Sequence, residues 1–348
     1  MKLYGNHFVS NGVIEFRKGM CTIKKLCLIH LILPLFLLIS CSETTIKEQI
    51  KEGKIPSQIS SEFTHKGQTF HIIPLYEEVL AYTAKAIDNP PVNTKNLYFE
   101  EVLEPFQNKL DENNADAGSY YFDYFFPTKD VKKLEENTAN LLRKQQKINE
   151  TVKASLIKSS DQIAGGDTII FLLPGNPEMT VIPDDMEGVS GVTFSDEVIL
   201  LQIDPSFTEK ALKYTTAHEY HHTINMGLNG MKTEPLAGLS LNEGKADSFA
   251  KIVYPDYKAE WTEPLLEDSE KAVLAEFKKN LDSYDLSVYY EFFGGNPSKG
   301  LPHWSNYKIG FSILQDYLGS HPEDSIEVWT KLGWKDILQG SEFKHLLN

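Results

Sequence analysis

Apolar and polar positions divide the chain into a few short strands and many helices. Thr69-Phe70-His71-Ile72-Ile73-Pro74 reads as a strand, and a helix follows it that ends before Pro90-Pro91. From Lys129 to about Ile163 the chain is charged, with Leu134, Leu141, Leu142, Ile148 and Val152 apolar, the pattern of one long amphipathic helix. Thr168–Pro174 is a continuous apolar run of strand length. Beyond a loop with Gly175, Pro177, Pro183 and Gly188, the segments Val189–Phe194 and Glu197–Asp204 read as two more strands. The second feeds directly into helix-forming sequence. Residues 254–345 read as mainly helical, broken at Gly294-Gly295-Asn296-Pro297 and at Gly300-Leu301-Pro302. The expected class is α+β, mainly helical. Four segments follow from this reading: an N-terminal extension over 1–40, a polar flexible tether over 41–65, a mainly helical part over 66–165, and the region 166–348.

One apolar run belongs to no element of this fold. Lys24-Lys25 precede Leu26–Leu38, interrupted at Pro34, and Ile39-Ser40-Cys41 close the run. A basic start, a short apolar core and a small residue at the cleavage point make a secretory signal, too short to span a bilayer comfortably. Met20 fits as its start. Leu38-Ile39-Ser40-Cys41 resembles the bacterial lipobox, which implies that Cys41 is lipidated and becomes the new N-terminus. The expected location is outside the cytoplasm, anchored by lipid to the outer face of the cell membrane, or to an outer membrane if the cell has two.

Cysteine usage and charge narrow the chemistry. The three cysteines are Cys21, Cys27 and Cys41, so the body of the chain has neither a disulfide framework nor a thiolate-held metal. The whole chain carries a net −15. Residues 1–40 hold five Lys/Arg and one Glu, so the remaining 308 residues carry −19. Such acidity disfavours nucleic acid and anionic lipid as partners. Membrane attachment then falls to acyl chains, of which stable anchoring needs more than one.

The densest chemistry lies in His218-Glu219-Tyr220-His221-His222, an HExxH pattern within helix-forming sequence. Positions i and i+4 share a helix face, so His218 and His222 can aim at one point. Glu219 can reach a water held there, the arrangement of a zinc hydrolase. Ala211, Thr215, His218, His222 and Met226 recur along one otherwise small or apolar stripe. Two histidines on such a stripe need partners, which metal ligation supplies. A catalytic zinc needs a third protein ligand. The extended form HExxHxxGxxH is excluded by Asn225 and Leu228. The other route is a Glu on the next helix: Glu243 follows His222 by 21 positions, beyond a turn-rich stretch. Asp247, one helical turn further on the same face, can accept a hydrogen bond from the free nitrogen of a ligand histidine.

These residues resemble the gluzincins, the thermolysin-like zinc peptidases, in which an HExxH helix is followed by a helix bearing NExxxD. Asn242, Glu243 and Asp247 stand in that pattern here. The resemblance implies one Zn²⁺ per chain held by His218, His222 and Glu243, with Glu219 as general base and Asp247 orienting a ligand histidine. A closer resemblance, over roughly 150–345, is to a bacterial family of unknown function described as predicted zinc-dependent proteases. It rests on Ala217-His218-Glu219-Tyr220-His221-His222, on Leu241-Asn242-Glu243-Gly244-Lys245-Ala246-Asp247, on Pro302–Phe311 and on Gln315-Asp316-Tyr317-Leu318. Where that family has a Gly before the Tyr of the Trp-containing segment, this chain has Asn306.

The implied fold is zincin-like: a small sheet beside the HExxH helix, and a helical C-terminal lobe. An edge strand of such a sheet can hold an extended peptide, and Gly188 and Gly191 would keep that edge open. Tyr307 is the first candidate donor to a developing oxyanion and His303 the second. The expected activity is hydrolysis of peptide or protein substrates outside the cytoplasmic membrane. The alternative is a non-catalytic zinc-binding or regulatory lipoprotein on the same scaffold.

Overall fold

The computed structural model describes residues 54–88 and 94–348. Cys41, the apolar run before it and Pro90-Pro91 lie outside the described residues. A five-stranded mixed sheet stands in a mainly helical chain. Its strands are β1 (Ser61–His65), β2 (Gln68–Pro74), β3 (Thr168–Pro174), β4 (Val189–Thr193) and β5 (Val198–Ile203). Their spatial order is β1-β2-β3-β5-β4, with β3 parallel to both β2 and β5 and the two outer strands antiparallel to their neighbours. The helices that matter to the site are α1 (Tyr76–Asp88), α2 (Glu104–Glu112), α3 (Val131–Gln162), α4 (Glu209–Asn229), α5 (Leu236–Val253), α6 (Glu267–Asn280), α7 (Leu286–Gly294), α8 (Ser305–Ser320) and α9 (Ile326–Lys331).

The class is α+β and mainly helical, as the pattern predicts. The range 41–65, expected as a tether, includes a strand at its end. Ser61–His65 forms β1, because Phe63 stacks on Phe70 of β2 with ring centroids 4.9 Å apart. The short run of strand residues had no apolar alternation beyond Phe63 to reveal it. β2 and β3 pair directly, so the sheet runs continuously across residue 165.

The sheet is covered on both faces. In β3, Ile170 and Leu172 point into a core shared with α3 and α4. Ile169, Phe171 and Leu173 point into a second core, shared with α1, α2 and the turn Tyr120–Tyr124. Alternate side chains of a strand face opposite sides, so a strand apolar at every position is one covered twice. All seven residues of β3 and all six of β5 are buried.

Helix α4 starts at Thr208, whose hydroxyl accepts from the Ala211 amide at 3.1 Å, one of the first-turn donors with no intrahelical partner. The helix is buried on nearly every side, not only along the stripe that carries the histidines. β4 and β5 lie on one flank, α3 and α5 on others, and Trp329 of α9 stacks on His221. Helices α5 and α8 approach closely at two glycines. A Cβ on Gly244 would lie 2.3 Å from the Gly310 carbonyl, and one on Gly310 would lie 1.8 Å from the Ser240 carbonyl oxygen. Only glycine at both positions lets these backbones touch.

Candidate metal centre

Two helices bring the polar residues of the site together. On α4, the imidazoles of His218 and His222 project side by side, their Nε2 atoms 3.1 Å apart. On α5, Glu243 Oε2 lies 3.3 Å from His218 Nε2 and 3.5 Å from His222 Nε2. Among the described residues these three form the one cluster of His, Cys or carboxylate donors close enough to share an ion. Four ligands arranged tetrahedrally about zinc at about 2.0–2.1 Å stand about 3.3 Å from one another. The observed triangle of 3.1, 3.3 and 3.5 Å has that size, so the three donors fit the metal.

The electrostatics agree with a dication between these groups. Burial alone would lower the His218 pKa, but Asp247, Glu243 and Glu219 outweigh it and hold it well above the ordinary histidine value. Burial would raise Glu243, yet the two histidines dominate and hold its carboxyl far below the usual range.

Asp247, fully buried, sets the orientation of His218. Its Oδ1 accepts from His218 Nδ1 at 3.0 Å, from Trp261 Nε1 at 3.0 Å and from the Tyr214 hydroxyl at 3.1 Å. With a proton committed to Nδ1, the lone pair of Nε2 is left for the metal. Neither Tyr214 nor Trp261 was singled out in the sequence. Tyr214 sits one turn before His218 on the same face, a signal the i, i+4 rule offers; Trp261 lies beyond α5 and offers none.

Glu219 stands on the sheet side of the cluster. Its Oε2 accepts from the Thr193 hydroxyl at 2.8 Å. A Cβ at Gly191 would fall 2.5 Å from Glu219 Cγ and 2.6 Å from Oε1, so the strand can pass this close only without a side chain there. Burial raises the Glu219 pKa, with His218, His222 and Thr193 pulling the other way. A carboxylate whose proton affinity is raised is suited to taking up a proton.

β4 is the outer strand of the sheet on this side. Phe194 donates its amide to the Val198 carbonyl and Asp204 donates to the Gly188 carbonyl, which fixes the phase of the β4–β5 ladder. Residues 188, 190, 192 and 194 face β5, and 189, 191 and 193 turn their N–H and C=O outward. The Val189 amide donates to Met186, and the Thr193 carbonyl accepts from the Tyr120 hydroxyl. The outward amide and carbonyl of Gly191 lie beside Glu219.

The two oxyanion candidates part company. Tyr307, on the first turn of α8, stacks near His218 with ring centroids 6.5 Å apart, and burial raises its phenol pKa well above the ordinary value. His303 packs instead on Trp304 at 4.3 Å and Phe293 at 6.0 Å, and the charges that act on it are Asp185, Glu260 and Lys308. The structure brings Tyr307 to the cluster and places His303 in an aromatic group beside it. His221, the remaining histidine of the motif, points away. Its Nε2 meets the Thr330 hydroxyl at 3.0 Å in a fully buried setting.

A helix-borne His-His-Glu triad compatible with zinc, with a second carboxylate beside it and a buried Asp behind, defines the class of site. A model of the family described as Predicted Zn-dependent protease (DUF2268) matches residues 148–339, more than half of the chain, and the chain belongs to that family. No curated protein matches it. The matched residues include β3 to β5 and helices α4 to α9; β1, β2, α1, α2 and the Tyr120–Tyr124 turn precede them.

Proposed function

We propose that the protein is a zinc-dependent peptidase. His218, His222 and Glu243 hold one zinc ion, and Glu219 is the general base. The observation that carries this reading is the donor triangle of zinc dimensions with Glu219 beside it, next to an outward-facing strand backbone. Bound zinc would acidify a water molecule and polarise a carbonyl. Glu219 takes a proton from the attacking water and delivers it to the leaving amine as the C–N bond breaks and the C–O bond forms. The Tyr307 phenol, kept neutral by burial, donates to the developing oxyanion. Asp247 keeps His218 in the ligating tautomer. The amide and carbonyl of Gly191 pair with the backbone of an extended peptide, which supports peptide or protein as the substrate class. Chemistry of this kind needs no nucleophilic Ser or Cys, in keeping with the cysteine-free body of the chain. The test is elemental analysis joined to cleavage of a peptide library. One zinc per chain is expected, with cleavage abolished by a chelator and restored by added zinc.

We further propose that this activity lies outside the cytoplasmic membrane, on a chain held by acyl groups on Cys41. The support is the basic, apolar and Leu38–Cys41 order of the N-terminal sequence. Mass spectrometry of the mature N-terminus should find a lipid-modified Cys41; an unmodified residue 41, or a chain beginning at Met20, contradicts the anchor.

A further inference from the structure

The Thr193 hydroxyl is the one side-chain donor that holds the Glu219 carboxylate among the described hydrogen bonds. It lies 2.8 Å from Oε2 and 2.9 Å from the Glu219 carbonyl oxygen, and Thr193 is itself buried. A hydroxyl has one proton to give, and the charged acceptor is the stronger of the two. Gly191, two residues earlier and on the same face of β4, leaves space for the carboxylate, with Oε1 above it. Strand β4 is thus shaped to the glutamate: a notch at 191 and a donor at 193. Thr193 is in turn fixed from outside the strand. Its carbonyl accepts from the Tyr120 hydroxyl, and the Tyr120 ring packs edge-on to Phe194 at 5.4 Å. Tyr120 precedes the family-matched residues, so a part of the chain outside that match braces the strand that holds the glutamate.

We propose that Thr193 is a positioning residue for Glu219: its hydroxyl occupies Oε2 and fixes the carboxylate so that Oε1 is the oxygen left to accept a proton. The consequence for catalysis rests on the peptidase reading above; the consequence for the orientation of Glu219 does not. Small displacements of a catalytic group cost rate steeply, on the order of a hundredfold for about 1 Å.

The experiment compares the zinc-loaded mature protein with Thr193→Val, which keeps the shape and deletes the hydroxyl, and Thr193→Ser, which keeps the hydroxyl and deletes the methyl. Crystal structures and steady-state kinetics are read together. In Thr193→Val the Glu219 carboxylate should leave its position or split between conformers, and kcat should fall roughly ten- to a hundredfold with KM little changed. Thr193→Ser should restore both the orientation and most of kcat. Glu219 unmoved in Thr193→Val, or Thr193→Ser as impaired as Thr193→Val, overturns the proposal. Thr193→Ala makes the same deletion with less bulk if the valine variant does not fold. Failure of the parent to cleave any peptide would count against the peptidase reading alone, because the Glu219 orientation in the valine variant still decides the positioning role.

Discussion

Asp247 illustrates how much of the centre depends on residues that touch no reacting atom. Three donors converge on its Oδ1, and only one of them belongs to the donor triangle. Asp247→Asn keeps the volume but offers weaker acceptance to His218 Nδ1. Zinc affinity should fall by roughly 10- to 100-fold, measured by competition with a chelating dye. His221 shows the reverse case, a motif histidine with a structural role. Burial pushes its pKa well below the ordinary value, helped by His222, Lys245 and His218, and its Nδ1 is buried without a partner. The folded pKa lies under the unfolded one, so on acidification the unfolded chain binds this proton first. The His221 contribution is present above about pH 6.5 and is lost as pH falls through and below it. Metal-free protein should therefore lose stability more steeply on acidification than metal-free His221→Phe, by thermal melts at matched pH. The pairing of His218 with His222 was legible because periodicity on one helix is local, whereas Glu243, on the next helix, was reached through the resemblance. Thr193 was not legible, since it meets Glu219 only through a contact 26 residues apart in sequence.

At the scale of elements, the site depends on how closely α5 and α8 approach. The Gly244–Gly310 contact brings the first turn of α8, with Tyr307, against the face of α5 that carries Glu243. The sequence placed both helices correctly, and Pro302 and Gly300 marked the break before α8. Nothing in it marked Gly310 as a contact, because a glycine in a helix reads only as weakened propensity. Gly310→Ala puts a methyl into the Ser240 carbonyl, and neither backbone can give. The expected loss is about 3 kcal/mol or more, at the upper end of overpacking, with peptidase activity falling as Tyr307 shifts. Gly319, on the same helix, meets nothing within 4 Å of an added Cβ. Gly319→Ala should raise stability by up to about 1 kcal/mol through helix propensity. Denaturant melts of the two variants check the contrast; similar destabilisation in both would remove the close-contact argument. The strands were read within a residue or two except β1, whose five residues all pair with β2 but include Phe63 as the one large apolar side chain.

Over the whole molecule, one sheet unites the family-matched region with the part before it. β2 lies beside β3, and Tyr120 reaches the end of β4 from the covering layer on the far face. The sequence reading divided a mainly helical part over 66–165 from the region 166–348. A parallel pair joined by a long crossover hides the continuity of the sheet from any local reading, since β2 and β3 pair residues nearly a hundred positions apart. The −19 charge outside residues 1–40 describes a surface, not a site. The proposed chemistry therefore converges on Glu219, which holds no place in the donor triangle yet is the proposed general base. Glu219→Gln, assayed at once for zinc content and for cleavage of a peptide library, tests the account most directly. Full zinc occupancy with cleavage reduced by about 10²- to 10⁴-fold is the predicted result; a variant that cleaves as fast as the parent would contradict it.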